Sequence, residues 1–235
     1  MSIQGIFPIE KWDFNSQSIL SGLPEPDLQL LIAGRPGQVY KKGEILFKED
    51  GYASGIYYLR SGKAKKYKVT GDGREHIIYV ANSGELLGFH AILAGNNYPD
   101  SAAVIEDSHV IFIPKEDFLG AIRQSDELNR RLLKTLSHEF IVLTNSLALY
   151  AQKPVRERLA LQLVLVREKY KEDFEPGESV EINMSREDLA NLVGTARENV
   201  VRILTEFKNE GILETHGRKI IVLDIKKLVK AANYG

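Results

Sequence analysis

The 235-residue sequence contains no cysteine. That one absence removes disulfides, thiolate zinc sites and cysteine-ligated iron–sulfur clusters together. No apolar run reaches the ~18 residues that read as a transmembrane helix, so no membrane partner is expected. Met1 to Trp12 lack a basic stretch followed by an apolar one; no secretory signal is expected, and the cytoplasm is the expected location. Enzyme signatures are missing too: there is no Walker A loop, HExxH, GxSxG or kinase motif. His138 and Glu139 are neighbours on a predicted helix and point in different directions, so they form no catalytic pair. An excess of either charge is also lacking. The net charge is −1, and from Pro154 onward 14 Lys+Arg are matched by 14 Asp+Glu. A polyanionic partner would have to be met by a local basic face, with modest nonspecific affinity.

Hydrophobic residues make up 43% of the chain, enough for full-sized cores in one large or two modest domains. Residues 1–33 read as mixed and partly helical, with Pro24 and Pro26 at a turn. From Gly37 to Ile113 short β-rich runs (56–59, 64–70, 76–80, 102–105, 110–113) alternate with glycines, the texture of an all-β sandwich or roll. From Asp126 to Gln152 the period becomes helical. Leu133, Leu136, Phe140, Leu143, Leu147 and Tyr150 are spaced 3-4-3-4-3, a heptad seam. Because Leu132, Ile141 and Leu149 lie off that seam, the helix has a second apolar face. The expected arrangement sets one face against the roll and the seam against a second copy. Pro154 then breaks the helix and can start another over 155–170. A loop at 172–179, with Pro176 and Gly177, precedes a strand at 180–182. The expected divisions are 1–124, 125–152 and 153–235.

Residues 185–207 carry the chemistry. Ser185 can cap a helix with Asp188 in the reciprocal position, and Leu189, Ala190 and Val193 form its apolar stripe. Gly194 supplies a tight turn. Thr195 with Glu198 repeats the capping pattern for a second helix, whose buried stripe is Val200, Ile203, Leu204 and Phe207. This is a helix-turn-helix that leaves Ala196, Arg197, Glu198, Val201 and Arg202 on the face that would enter a major groove. Two strand-like runs joined by His216-Gly217-Arg218 follow, a hairpin wing with a basic tip. Arg186, Thr195, Arg218 and Lys219, with His216 beside them, are the expected phosphate contacts, which position without specifying. The competing readings are a plain helical hairpin with solvated charges and, for Glu198, a capping role alone.

A β-roll, a long helix, a hinge and a winged helix-turn-helix in this order resemble the CRP/FNR family of bacterial transcription regulators. The resemblance runs from about Val39 onward. It rests on Gly43-Glu44-x-x-Phe47-x-Glu49-x-Gly51, on Gly55-x-Tyr57-x-Leu59-x-x-Gly62 and on the helix-turn-helix. It implies an α+β chain: a jelly-roll (double-stranded β-helix) of cyclic-nucleotide-binding type, a long dimerisation helix and a C-terminal winged helix-turn-helix. The implied protein is a homodimer on an inverted-repeat operator of double-stranded DNA, with RNA polymerase as partner if it activates. Arg197, Glu198 and Arg202 stand where the cyclic-AMP branch reads bases. Arginine on guanine O6/N7 and glutamate on cytosine N4 is the pairing expected from base-edge chemistry.

The effector side departs from that branch. A cyclic nucleotide needs a cation for its phosphate and a carboxylate for its ribose. The family pattern is Gly-Glu-Leu with Arg-Ser-Ala a short way downstream; Gly84-Glu85-Leu86 matches its first part, but Ser101-Ala102 then falls too far away. Aligning instead on Gly88-Phe89 places Phe89 at the carboxylate position and Pro99 or Asp100 at the arginine position, where Asp100 would repel a phosphate. No response to cyclic AMP is expected. The stretch 84–92 resembles the FNR branch better, whose cluster chemistry is excluded by the missing cysteines. Gly88, Phe89, His90, Asp100, Ser101 and Thr144 would line any effector pocket. The hydroxyl of Thr144 has the alternative of bonding its own helix backbone. His76 and His90 are the only haem-ligand candidates, and haem is not expected. No metal site and no resident cofactor are expected; an unknown small effector, or none, is left open. The alternatives are a β-roll sensor acting through protein partners and a haem-based gas-sensing regulator.

Overall fold

The structure, a computed structural model, describes all residues except 1, 2, 4, 172–174, 176, 177, 234 and 235. The expected loop at Pro176-Gly177 therefore lies largely outside the described residues. Contacts divide the chain into two compact units: a roll unit of Phe14–Thr70 with Ile78–Phe140, and a helical unit of Met1–Asp13, Gly71–Ile77 and Ile141–Gly235. This division differs from the expected boundaries. It cuts the long helix between residues 140 and 141 and assigns the amino-terminal segment and one hairpin tip to the C-terminal half.

The roll is built from β1 (Gln38–Tyr40), β2 (Ile45–Phe47), β3 (Gly55–Ser61), β4 (Ala64–Val69), β5 (Glu75–Ala81), β6 (Leu86–Leu87), β7 (Ser101–Val104) and β8 (Ser108–Pro114). They form two four-stranded sheets, ordered β1-β8-β3-β6 and β2-β7-β4-β5. Ile56, Leu59, Leu86, Val104 and Ile113 share one buried core with Phe118 and Leu128 from the helices that follow. The glycines quoted above have steric reasons. A methyl group on Gly55 would overlap the carbonyl oxygen of Ile113, and Gly62 has φ +93° and a site blocked by Ser108. Burial first, and the neighbouring Tyr98 and Tyr40 second, push the Tyr57 phenol up to about 12.

Helix α1 (Glu25–Ile32) corrects the expected turn. Pro24 is its N-cap residue and Pro26 sits in its first turn, where a missing N–H costs nothing. A short helix, α2 (Phe89–Ala94), runs between Gly88 and Gly95, both with positive φ. After α3 (Lys115–Gln124), the long helix α4 runs over Asp126–Gln152. One side is buried in its own chain through Leu128, Leu132, Thr135, Glu139, Val142 and Leu149. The other is left bare: Leu133, Leu143 and Ile141 are exposed, and Phe140 and Leu147 keep 69% and 71% of their surface open. Leu136 is half-buried against the roll core.

The helical unit continues with α5 (Val155–Lys171), β9 (Glu181–Asn183), α6 (Arg186–Val193), α7 (Arg197–Asn209), β10 (Leu213–His216), β11 (Lys219–Val222) and α8 (Ile225–Ala232). The wing hairpin gains a third strand, in the order β10-β11-β9. Leu159, Leu163, Ile182, Leu189, Val200, Phe207, Ile220 and Leu228 are fully buried. The amino-terminal segment belongs to this unit. Ile3 and Phe7 are buried, Lys11 O accepts from Asn145 Nδ2 at 2.8 Å, and Asp13 pairs with Lys169 at 3.1 Å.

Candidate nucleic-acid interface

Ser185 caps α6 as its sequence dictates: its Oγ accepts the Asp188 N–H at 2.9 Å and donates to the Asp188 carboxylate at 2.6 Å. Gly194 ends that helix in the left-handed region at φ +69°, which a β-carbon would strain. The start of α7 departs from expectation. Its N-cap is Ala196, with no side-chain cap, and the Thr195 hydroxyl instead accepts from Asn199 Nδ2 at 3.0 Å. Ala196 takes the extended backbone of a cap residue, which sets Thr195 one position too early. The first N–H groups of the helix therefore have no side-chain acceptor.

Beyond that start, Val200, Ile203, Leu204 and Phe207 are buried while Arg197, Glu198, Val201, Arg202 and Thr205 face out. Among the described residues neither Arg197 nor Glu198 has a side-chain partner. Arg202 is held by Glu206, which also accepts from Arg156 at 2.9 Å. The Arg202 side chain is 63% exposed, so its ion pair is screened and is exchanged for another acceptor at little cost.

Three of the expected phosphate contacts are engaged within the protein. Arg186 donates to the carbonyls of Arg218 and Gly217, each at 3.0 Å, and so braces the wing tip from α6; burial lowers its pKa. Lys219 pairs with Glu181 of β9 at 2.6 Å, and Thr195 serves Asn199. His216 lies 3.4 Å from Glu214. Arg218 is exposed and, among the described residues, its guanidinium has no partner.

The residues expected around an effector are likewise occupied. Phe89 is 1% exposed in the roll core and stacks on His90, with ring centroids 4.0 Å apart. His90 Nε2 lies 2.6 Å from Glu139, whose other oxygen accepts from Ser16 at 3.0 Å. Asp100 is not the lone anion expected to repel a phosphate: Lys66 pairs with it at 3.1 Å. Ser101 Oγ accepts the Glu49 N–H at 2.9 Å, and Gly88 has its β-carbon site closed by Tyr98. Thr144 belongs to the other unit and takes the alternative, donating to the Ile141 carbonyl at 2.7 Å. Glu85, the carboxylate of the first alignment, accepts from Tyr79 Oη at 2.6 Å and from the Asn82 N–H at 3.0 Å. Sequence reasoning missed Glu139. Its signal was a charged residue in phase with Leu128, Leu132, Thr135 and Val142 on the buried side of α4. Among the described residues no cluster of His, Asp and Glu could hold a metal, and no helix is long and apolar enough to cross a membrane.

Tyr150, expected in the seam, is turned into its own chain. Its Oη donates to the Leu192 carbonyl at 2.6 Å and its ring meets His76 edge-on at 5.7 Å. Burial raises its pKa, opposed by Arg158 and by a hydrogen bond with Gln162.

A β-roll followed by a winged helix-turn-helix whose reading face is bare defines a class, the two-domain DNA-binding transcription regulators. Two family profiles match it: the cyclic nucleotide-binding domain over residues 37–125 and the Crp-like helix-turn-helix domain over 157–231. The chain belongs to the CRP/FNR family of transcription regulators. It is 31% identical over 193 residues to the fumarate and nitrate reduction regulatory protein of Vibrio cholerae, covering 82% of this chain and 76% of that one. It is 29% identical over 204 residues to the transcriptional activator protein anr of Pseudomonas aeruginosa, covering 87% and 82%. FixK2 from Bradyrhizobium japonicum has a similar fold, with TM-score 0.72, 24% identity, and 84% and 96% of the two chains covered. These relatives do not favour the alternative of a sensor working through protein partners alone or through haem.

Proposed function

We propose that the protein acts as a homodimer in the cytoplasm. It reads an inverted-repeat operator through Arg197, Glu198 and Arg202, anchored on phosphate by Arg218. The observation that carries this reading is the start of α7: among the described residues, Arg197 and Glu198 are exposed with no side-chain partner, on a helix whose N-cap residue offers no side-chain cap. Such an end favours anions, and the two side chains match guanine and cytosine edges. The bare stripe of Leu133, Phe140, Leu143 and Leu147 supplies the dimer contact, and two-fold symmetry sets half-sites about one helical turn, ~34 Å, apart. The names of relatives as transcriptional activators support contact with RNA polymerase. Selection from a random duplex pool, followed by gel shift, tests the reading: an enriched inverted repeat is expected, and a pool that stays random rejects it.

We further propose that the protein works without cyclic AMP and without a resident cofactor. Glu85, Phe89, His90 and Asp100 each answer to another group of the protein, and a cysteine-free chain offers no thiolate for a cluster. Any small effector would have to displace these pairs.

A further inference from the structure

The turn between α6 and α7 decides where α7 points, and it is gripped from three segments of the helical unit. Leu192 lies in the last turn of α6, where carbonyls have no helical N–H to accept. Tyr150 Oη fills that gap at 2.6 Å. Arg158 of α5 lies over the Tyr150 ring, 5.3 Å from its centroid, and donates to the carbonyls of both Tyr150 and Gly194 at 3.4 Å. His76, at the start of β5, closes the other side. A β-carbon on Gly194 would stand 3.8 Å from both the Tyr150 and the His76 rings. The turn is thus in contact with the end of the same helix that carries Leu143 and Leu147.

We propose that Tyr150 is a positioning residue for DNA reading: by holding the Leu192 carbonyl it fixes the α6–α7 turn and so the aim of Arg197, Glu198 and Arg202. The inference rests on the DNA-reading proposal above and adds a residue that touches no DNA. A hydroxyl that served only folding would change stability and leave the balance between operator and random DNA untouched. A positioning hydroxyl changes that balance, because base contacts need geometry while phosphate contacts tolerate looseness.

The test is Tyr150→Phe in the full-length chain, which keeps the ring against His76 and Arg158 and removes only the hydroxyl. Sedimentation should show the wild-type oligomeric state. Amide exchange at Gly194, Thr195 and Arg197 should speed up several-fold. Affinity for the selected operator should fall about fivefold to tenfold, the effect of losing the hydroxyl's bond to Leu192, while affinity for random duplex stays within about twofold; Gln162→Leu, which removes the hydroxyl's other partner and keeps the bond to Leu192, should leave both affinities within about twofold. Wild-type exchange with wild-type operator affinity overturns the proposal, as does an equal loss on both DNAs or a gain on the operator. Failure of the wild-type chain to bind any duplex would reject the DNA reading instead, and the exchange measurement would still decide whether Tyr150 holds the turn.

Discussion

Arg197 and Arg202 sit five residues apart on one face, yet they begin from different states: among the described residues Arg197 has no side-chain partner, and Arg202 leans on Glu206. Arg202→Ala should cost roughly 1–3 kcal/mol of operator affinity and relax preference at one base pair per half-site, read from a panel of single-base operators. Arg218→Ala should weaken every sequence about equally and lower the salt slope by about one. Equal loss across the panel for Arg202→Ala would move that residue to phosphate. Tyr57 gives a prediction of another kind. Its folded pKa, about 12, lies above the ordinary 10.0, so the neutral phenol favours the fold. That stability is complete below pH 10 and declines as pH rises through about 12. Alkaline melts of Tyr57→Phe should show a shallower decline than wild type. At this scale the sequence revealed residue types and the local Ser185–Asp188 pair, but not distant partners. Lys66 with Asp100, and Glu139 with His90, join positions 34 and 49 apart, and no spacing rule links them.

Among the elements, α4 shows how far a pattern can be read. Its span followed from the heptad spacing, because a period of alternating three and four marks a helical stripe whatever it packs on, though Leu136 of that stripe turns half-buried against the roll core. The pattern could not say that Tyr150 leaves the stripe, since an aromatic ring with a polar end suits both an interface and a buried hydrogen bond. Phe140, at 69% exposure, is the cleanest probe of the stripe. Phe140→Asp places a charge where a partner would bury it, at a cost of several kcal/mol, and leaves the monomer's own packing alone. Monomer by sedimentation and loss of operator binding are the expected results; a variant that stays dimeric means the stripe faces something else. The start of α7 was misplaced by one residue because threonine is the better cap in isolation. Here the turn geometry set by Gly194 decided, and alanine took the cap. Helices α2 and α8 went unread: six residues between two glycines carry too little period, and the last helix follows a wing that ended the motif.

For the whole molecule, the order of roll, long helix and winged helix-turn-helix was legible from the change of period along the chain. The grouping of segments into units was not, since it depends on contacts between distant stretches. The effector prediction belongs at this scale. Calorimetric titration with cyclic AMP should show no heat, and operator affinity should not change on adding it. A tenfold gain in affinity, ~1.4 kcal/mol, would mean that the His90–Glu139 and Lys66–Asp100 pairs open for a ligand.

The place of the first 13 residues bears on how this protein is handled. Ile3 and Phe7 are buried, and Asp13 and the Lys11 carbonyl are tied to Lys169 and Asn145, all within the unit that carries α7. An affinity tag fused at the amino end, or a truncation made to tidy it, is therefore a change to the DNA-binding half rather than to a remote tail. Deleting these residues should lower the melting temperature, since uncovering the seats of Ile3 and Phe7 forfeits about 1.5–3 kcal/mol for each side chain. Operator affinities measured on amino-terminally tagged and untagged protein should disagree.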